Sequence, residues 1–348
     1  MNKPIKIAFF DYKEYDKSSF DKIFNKDEYV IDYFNVLLNK DTVLLAKDHD
    51  VVCCFVNDKV DKDVIDKLYE YKIDCLLLRC AGYNNVDMKY AFKKVHVYTV
   101  PAYAPEAISE HTFALLLTLI RKINKAYNRV RDFNFSLNGL VGFNLKGKTI
   151  GVIGTGRIGR GVIDIANGFK MNVLAYDLYQ DSSLNCQYVP LLELFQKSDI
   201  ITLHAPLTND NYHMINDNSI NMMKDGVIII NTSRGGLINS GSLLKGLESK
   251  KVGGAALDVY EEESDVFFVD KSIEGISDNV LALLISMQNV IVTSHQAYLT
   301  KEALEEIAKT TLSNIKMHFD KTFNNNEICY KCKGENKTCI KERKKNCW

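Results

Sequence analysis

Three polar groups in the second half of the chain each follow an apolar run. They are Arg234 after "VIIINTS", the acids of "DVYEEES" (Asp258, Glu261, Glu262, Glu263) after "GGAAL", and His295 after "NVIVTS". An arginine can grip a carboxylate with two parallel hydrogen bonds, and a histidine exchanges a proton near neutral pH. A carboxylate beside that histidine holds the ring and favours its protonated form. Together these groups would make a hydride-transfer site for a 2-oxo acid. Taken singly, each has a plainer reading: Arg234 as a loop cap, His295 as a satisfied surface imidazole, the acids as a solvated loop face. Which of the four clustered carboxylates does chemistry is not legible from the cluster itself.

The elements that would have to position these groups follow a β-α rhythm. Between Lys6 and Val100, short apolar runs ("IKIAFF", "DVVCCFV", "DCLLLR", "HVYTV") alternate with helix-like stretches such as "KDVIDKLYEY", as in a parallel sheet. This half has no glycine-rich phosphate loop. After Pro105, which suits the first turn of a helix, "EAISEHTFALLLTLIRKINKAYNRVRDF" reads as one long helix connecting two domains. A second series follows: "KTIGVIG", "NVLAYD", "DIITLHA", "GVIIINTS", "GGAALDV" and "NVIVTSH". Runs without alternation imply strands covered on both faces. In "TKEALEEIAKTTLSNIKMHF", Leu304, Ile307, Ala308, Ile315 and Phe319 fall on one helical face, with Thr300 as N-cap. The expected fold class is α/β, with two Rossmann-like domains whose parallel sheets are flanked by helices. In such sheets ligands bind beyond the carboxyl ends of the strands, where Arg234, the acid cluster and His295 stand.

The second series opens with "GVIGTGRIG", an apolar strand running into Gly154, Gly156 and Gly159 and then into a helical pattern with Ile158, Val162, Ile165, Ala166 and Phe169 on one face. A lone GxGxxG says little. Between a strand and a helix it has a mechanism: a tight turn, close approach of a pyrophosphate to the backbone, and close helix-strand packing, with the helix N-terminus facing the phosphates. About twenty residues on, the next strand ends in Asp177, placed to accept hydrogen bonds from an adenosine ribose and to repel a 2′-phosphate. NAD is the expected cofactor.

Composition bounds the remaining classes. With 348 residues, 46% hydrophobic, and 44 basic against 44 acidic side chains, the chain is long enough for two domains and has no electrostatic footprint for nucleic acid or an anionic membrane. The longest apolar stretch, "FALLLTLI", is too short to span a bilayer, so a cytoplasmic location is expected. Of nine cysteines, Cys53, Cys54, Cys75, Cys80 and Cys186 lie in or beside apolar runs, where a thiol acts as a small hydrophobe and a disulfide framework is not expected. Cys329, Cys332, Cys339 and Cys347 lie in a Lys-rich tail. One CxxC with two irregularly spaced thiols is a weak zinc pattern beside the alternative of a flexible basic tail.

"LRCAGYNNVD", "VPAYAPEAISEH", "GVIGTGRIGRG", "HAPLT", "NTSRGG", "LDVYEEE" and "NVIVTSHQAYLT" resemble, in order and spacing, the D-isomer-specific 2-hydroxyacid dehydrogenases, most closely the fermentative NAD-dependent D-lactate dehydrogenases. The likeness extends to about Asn326. It implies a substrate domain of residues 1–101 and 300–328, an NAD-binding domain of 102–299, a tail of 329–348, and an active site in the interdomain cleft. It assigns Arg234 to the substrate carboxylate, His295 to acid-base catalysis and Glu263 to the histidine's partner, leaving Glu261 and Glu262 as loop acids. It further implies that the Ala81 and Gly82 backbone and Tyr103 hold the carboxylate, and that Tyr298 lines the side-chain pocket. Gly154, Gly156, Arg157, Ile158, Asp177, Ala205, Pro206, Asn211, Thr232, Ser233 and Asp258 are assigned to the cofactor. His111 and His204 match motif positions without a proton-transfer role. The implied reaction is reversible reduction of pyruvate to D-lactate by a homo-oligomer, a dimer or tetramer. The alternatives are a bulkier 2-oxo acid, or a scaffold that senses NAD(H).

Overall fold

The computed structural model describes residues 3–263 and 266–330. The chain divides into two compact units, one made of residues 1–104 with those from Leu299 onward, the other of Pro105–Tyr298.

The first unit contains β1 (Ile5–Phe10), α1 (Glu14–Ile23), β2 (Tyr29–Phe34), β3 (Val51–Cys54), α2 (Lys62–Glu70), β4 (Cys75–Leu78), α3 (Met88–Ala91) and β5 (His96–Tyr98). Its sheet runs β5-β4-β3-β1-β2, with the short strand Glu327–Ile328 beyond β5. All neighbours are parallel except that last strand, which pairs antiparallel with β5. Every residue of β3 and β4 is buried, which is why these central strands read as unbroken apolar runs. β2 lies at the sheet edge and carries Asp32 among half-exposed positions.

The helix Lys301–Phe319 belongs to this unit and starts as expected, with Thr300 Oγ1 accepting from the Ala303 N–H at 3.2 Å. Its buried face includes Leu304, Ile307, Ala308 and Ile315. Phe319 does not belong to that face; it is 43% exposed. The face instead continues through Thr311 and Asn314, where the Asn314 amide donates to the Thr99 carbonyl at 3.0 Å and its oxygen accepts from Asn324 and Asn326. The last turn is held by His318, whose Nδ1 lies 3.0 Å from the Tyr98 hydroxyl.

The second unit contains α4 (Pro105–Arg121), α5 (Ile123–Arg131), β6 (Thr149–Ile153), α6 (Arg157–Gly168), β7 (Asn172–Tyr176), β8 (Gln187–Tyr188), α7 (Leu191–Lys197), β9 (Ile200–Leu203), α8 (Asp217–Met222), β10 (Val227–Asn231), α9 (Ser240–Glu248), β11 (Val252–Leu257), α10 (Asn279–Ser286) and β12 (Val290–Val292). Its sheet, all parallel, has the order β12-β11-β10-β9-β6-β7-β8. The chain winds outward from β6 first to one side and then to the other, so the crevice beyond the ends of β6 and β9 is the place for a ligand. One face of the sheet packs against residues of α7 to α10, including Leu194, Leu243 and Leu281. The other packs against α4 and α6 through Phe113, Leu116, Val162 and Ile163. Ile163 is buried in α6, whereas Phe169 lies past its end, 39% exposed and stacked on Phe113.

The stretch after Pro105 is two helices rather than one. Lys122 takes a left-handed conformation, φ 52°, between α4 and α5. Its Nζ donates to the Gly139 carbonyl at 2.8 Å, and Arg129 donates to the Asn138 carbonyl at 2.7 Å. The chain folding back over the joint thus supplies the contacts that a continuous helix would forgo. The apolar face ends at Ile120, and α5 buries no residue.

Candidate active site

At the end of β6 the chain turns through Gly154, whose φ is +94° and whose N–H donates to the Tyr176 carbonyl at 2.9 Å. A Cβ at this position would lie 2.6 Å from the backbone of His204, and one at Gly159 would lie 2.0 Å from the Gly154 carbonyl oxygen. The turn and the packing of α6 on β6 therefore both require glycine. A Cβ on Gly156, the N-cap of α6, would meet nothing within 4 Å. This open space in front of a 12-residue helix's free N–H groups fits a pyrophosphate. Arg157 and Ile158 are the first two residues of that helix.

Asp177 stands just past β7. Its carboxylate accepts from the Thr155 N–H at 2.6 Å, the Thr155 hydroxyl at 3.1 Å and the Tyr179 N–H at 2.8 Å. The acid is thereby fixed in direction beside the glycine turn, partly exposed, as a ribose acceptor would need to be. The loop after β9 is closed by Asn211, whose amide donates to Pro206 O and accepts from Thr208 N–H, both at 2.7 Å. The Ser233 hydroxyl donates to Ala205 O at 2.7 Å, and the buried Thr232 hydroxyl lies 3.0 Å from that of Thr112 in α4. These side chains are engaged within the protein, in the loops that follow β9 and β10.

Asp258, at the end of β11, is fully buried. Its carboxylate accepts from the Thr293 hydroxyl at 2.5 Å and from the N–H groups of Gln296 and Ala297 at 2.9 and 2.8 Å, with His111 Nε2 at 3.5 Å. Burial works to raise its pKa, but the bonds from His111, Thr293, Ala297 and Gln296 outweigh that and hold it below the usual carboxylate range. The Asp258 carbonyl accepts from the His295 N–H at 2.8 Å. One buried residue thus organises the turn after β12 that carries His295.

His295 has φ +53°, a conformation rare for a side chain of its kind. Its Nδ1 lies 2.9 Å from Glu263 Oε1. Glu263 Oε2 accepts from the Tyr260 N–H at 3.0 Å. Nε2 of His295 has no partner among the described residues. Arg234, past β10, is exposed; among the described residues its guanidinium donates only to the Ser233 carbonyl, at 2.7 Å, and pairs with no carboxylate. β10, β11 and β12 are neighbours in the sheet, so the residues after them emerge at one edge of the unit.

Glu261 differs from the solvated loop acid expected of it. It bonds to His213 Nε2, accepts from the Tyr212 hydroxyl at 3.1 Å, and accepts from the Ser240 hydroxyl and N–H at 3.1 and 3.3 Å. Nothing around His213 in the sequence signals this partnership. Glu262 is exposed. His204 is half-buried; desolvation of its ring lowers its pKa to about 3, and its Nε2 lies 2.8 Å from the Thr202 hydroxyl. His111 serves the Asp258 turn.

In the first unit, Ala81 and Gly82 follow β4, and Cys80 Sγ lies 3.3 Å from the Gly82 carbonyl. Arg79 beneath them is a residue whose importance the sequence alone does not display. It is 3% exposed, held between the rings of Phe9 and Phe55 at 4.7 Å each, and donates to the carbonyls of Phe10 and Asp11. Tyr103 precedes α4 and is half-buried, and Tyr298 is buried. Cys53, Cys54, Cys75, Cys80, Cys186 and Cys329 are free thiols. Of the four tail cysteines only Cys329 is among the described residues; Cys332, Cys339 and Cys347 lie outside them.

Residues 113–297 match the family model for the D-isomer specific 2-hydroxyacid dehydrogenase, NAD binding domain. The chain belongs to this dehydrogenase family. It is 49% identical over 315 residues to a 2-hydroxyacid dehydrogenase homolog of Haemophilus influenzae, covering 89% of this chain and 95% of that one. It is 44% identical over 315 residues to the D-lactate dehydrogenase of Escherichia coli, covering 89% and 96%. The apo-structure of the Escherichia coli D-lactate dehydrogenase superposes with a TM-score of 0.87 at 41% identity, covering 93% of this chain and all of that one. The dehydrogenase is an NAD-dependent oxidoreductase of D-2-hydroxyacids. None of its described helices is long and apolar enough to cross a membrane.

Proposed function

We propose that the dehydrogenase interconverts pyruvate and D-lactate, with Arg234 holding the substrate carboxylate and His295, oriented by Glu263, moving the proton. The observation that carries this reading is the His295–Glu263 pair: Nδ1 is engaged with the carboxylate at 2.9 Å, and Nε2 is left for the substrate. NADH, when bound at the glycine turn of β6 and α6, supplies the hydride. As negative charge grows on the carbonyl oxygen, the Nε2–H of the protonated imidazole passes its proton to that oxygen, leaving a hydroxyl and a neutral ring. In the other direction Nε2 takes the hydroxyl proton, and Glu263 offsets the charge that the ring acquires. A positioned acid of this kind contributes roughly a hundredfold to ten-thousandfold in rate.

Arg234 suits a carboxylate because its guanidinium has no acidic partner among the described residues, so the substrate would not have to displace one. The turn built on Asp258 holds His295 in its left-handed conformation. Ala81, Gly82 and Tyr103 as further carboxylate contacts, and Tyr298 as a wall of the side-chain pocket, belong to the same proposal. Likeness to the Escherichia coli D-lactate dehydrogenase favours pyruvate over bulkier acids. Assembly into at least a dimer is supported by apolar side chains standing in solvent on α5 and just after it, among them Tyr127, Phe135, Leu137 and Phe133, the last 85% exposed.

The deciding experiment is NADH consumption with pyruvate by the wild type and by His295→Asn. Turnover in the wild type and a fall in kcat of roughly a hundredfold or more in the variant are expected. Loss of pyruvate turnover in favour of a bulkier 2-oxo acid would overturn the substrate, and an undiminished variant would overturn the proton donor.

A further inference from the structure

We propose that Glu261 and His213 are positioning residues for substrate capture, a pair that locks the backbone that follows Arg234 and the backbone that leads into Glu263. This rests on the roles proposed above for those two residues. The Glu261 carboxylate is bonded on both oxygens, to Tyr212 and His213 from one segment and to Ser240 at the start of α9 from another. The His213 N–H donates to the Gly236 carbonyl at 2.9 Å. Three segments distant in sequence therefore meet on one side chain.

Arg234 stands just before that junction, two residues ahead of Gly236. Its own carbonyl accepts from Asn231 Nδ2 at 2.8 Å, which ties the peptide that follows it back to the end of β10. The next residue, Gly235, packs so closely on the Tyr260 carbonyl that a Cβ would lie 2.0 Å from it. Tyr260 in turn donates its N–H to Glu263. The Tyr260 side chain is held by Asp278, its hydroxyl donating at 2.7 Å, and the next residue along the chain, Glu261, holds the segment to 212–213 and 240. Removing the Glu261 bonds frees the 235–240 turn and the 260–263 segment together, and with them the aim of Arg234 and Glu263.

His213 is unsuited to proton transfer, since both ring nitrogens face partners: Glu261 at Nε2 and Asn239 Nδ2, 3.3 Å from Nδ1. It shares the left-handed backbone of His295, φ +53°, a conformation retained only where the surroundings enforce it. An ordinary surface ion pair would contribute little. Here the Glu261 side chain is only 17% exposed and its charge is met by several donors. Burial works against ionisation, but the bonds from His213, Ser240 and Tyr212 prevail and keep the carboxyl below its ordinary range.

The test uses the full chain as wild type, Glu261→Gln, His213→Gln and the double variant. We expect the KM for pyruvate to rise about tenfold in each single variant, because a small misplacement of a positioning group costs that order of rate or affinity. NADH affinity, read by fluorescence titration, stays within about twofold, since the glycine turn is not part of the junction. The double variant is no worse than the singles, as for groups that act as a unit. Unchanged pyruvate KM in Glu261→Gln, or additive losses in the double variant, overturns the proposal. Equal loss of NADH affinity also overturns it, by showing general loosening. Hydrogen exchange needs no substrate: amides of 235–240 and 260–263 should exchange roughly tenfold faster in Glu261→Gln while β10 is unaffected. Unaltered exchange there overturns the junction whatever the activity, whereas faster exchange in a protein that reduces no 2-oxo acid would sink the proposed reaction and leave the junction standing.

Discussion

The Pro105–Tyr298 unit holds two histidine–glutamate pairs that look alike on a residue list and differ in their surroundings. In both, the acid comes from the "YEEE" segment and the histidine has φ +53°. Glu261 has donors on both oxygens, and both nitrogens of its histidine are engaged. Glu263 has one backbone donor and one ring nitrogen, and Nε2 of its histidine has no partner among the described residues. The difference teaches that spare bonding capacity, more than the presence of a charged pair, distinguishes a group available for chemistry from one that braces the frame around it. Asp258 belongs with Glu261: it is saturated, buried, and one residue removed from the atoms that it positions.

Substitutions can break this comparison. After the loss expected for His295→Asn, the largest effect is expected at Arg234, the charged side chain that has no acidic partner among the described residues. Arg234→Lys keeps the charge and loses the fork of two hydrogen bonds, a loss on the order of 1.5–3 kcal/mol. Its kcat/KM for pyruvate should fall roughly ten- to a hundredfold, with the melting temperature unmoved. An unchanged KM would show that Arg234 is not the carboxylate clamp. Glu263→Gln comes next. It keeps the shape and removes the charge facing Nδ1, and kcat should fall about tenfold while thermal stability stays within about a degree or two, because few donors are orphaned. A large loss of stability with intact kcat would reverse the assignments of the two glutamates.

How far these roles were legible in the sequence depends on how local each one is. The central strands of both sheets announce themselves because they are covered on both faces, and polar residues just beyond them mark the ligand side. The glycine turn and Asp177 are a local pattern with a fixed stereochemical reason. β2 was silent because an edge strand need not be uniformly apolar. The break at Lys122 was silent because the left-handed position is filled by lysine rather than glycine, and the bonds that hold it come from the returning 138–139 segment. Phe319 leaves the face that its spacing suggests because asparagine and histidine hydrogen bonds, rather than an apolar residue, finish the buried face of its helix. The Glu261–His213 bond spans 48 residues and the Asp258 bonds to the 293–297 turn span 35 to 39, so no window of sequence contains them.

The smallest expected effect is the most discriminating between the two pairs. The Glu261 carboxyl is held below its ordinary range in the folded chain, so it binds protons less readily folded than unfolded. Its contribution to stability is therefore fully present above the unfolded pKa, about 4.3 for glutamate, and is lost as the pH falls through the lower folded value. Glu261→Gln should melt a few degrees below the wild type at neutral pH, about 2–4 °C per kcal/mol for a domain of this size. That gap should close as the pH is lowered past about 4, where the wild-type carboxyl also becomes neutral. Thermal melts of both proteins between neutral and acid pH check this. A gap that stays constant with pH would mean that the glutamine disrupts packing rather than charge, and Glu261 would then no longer be the electrostatic centre of the junction.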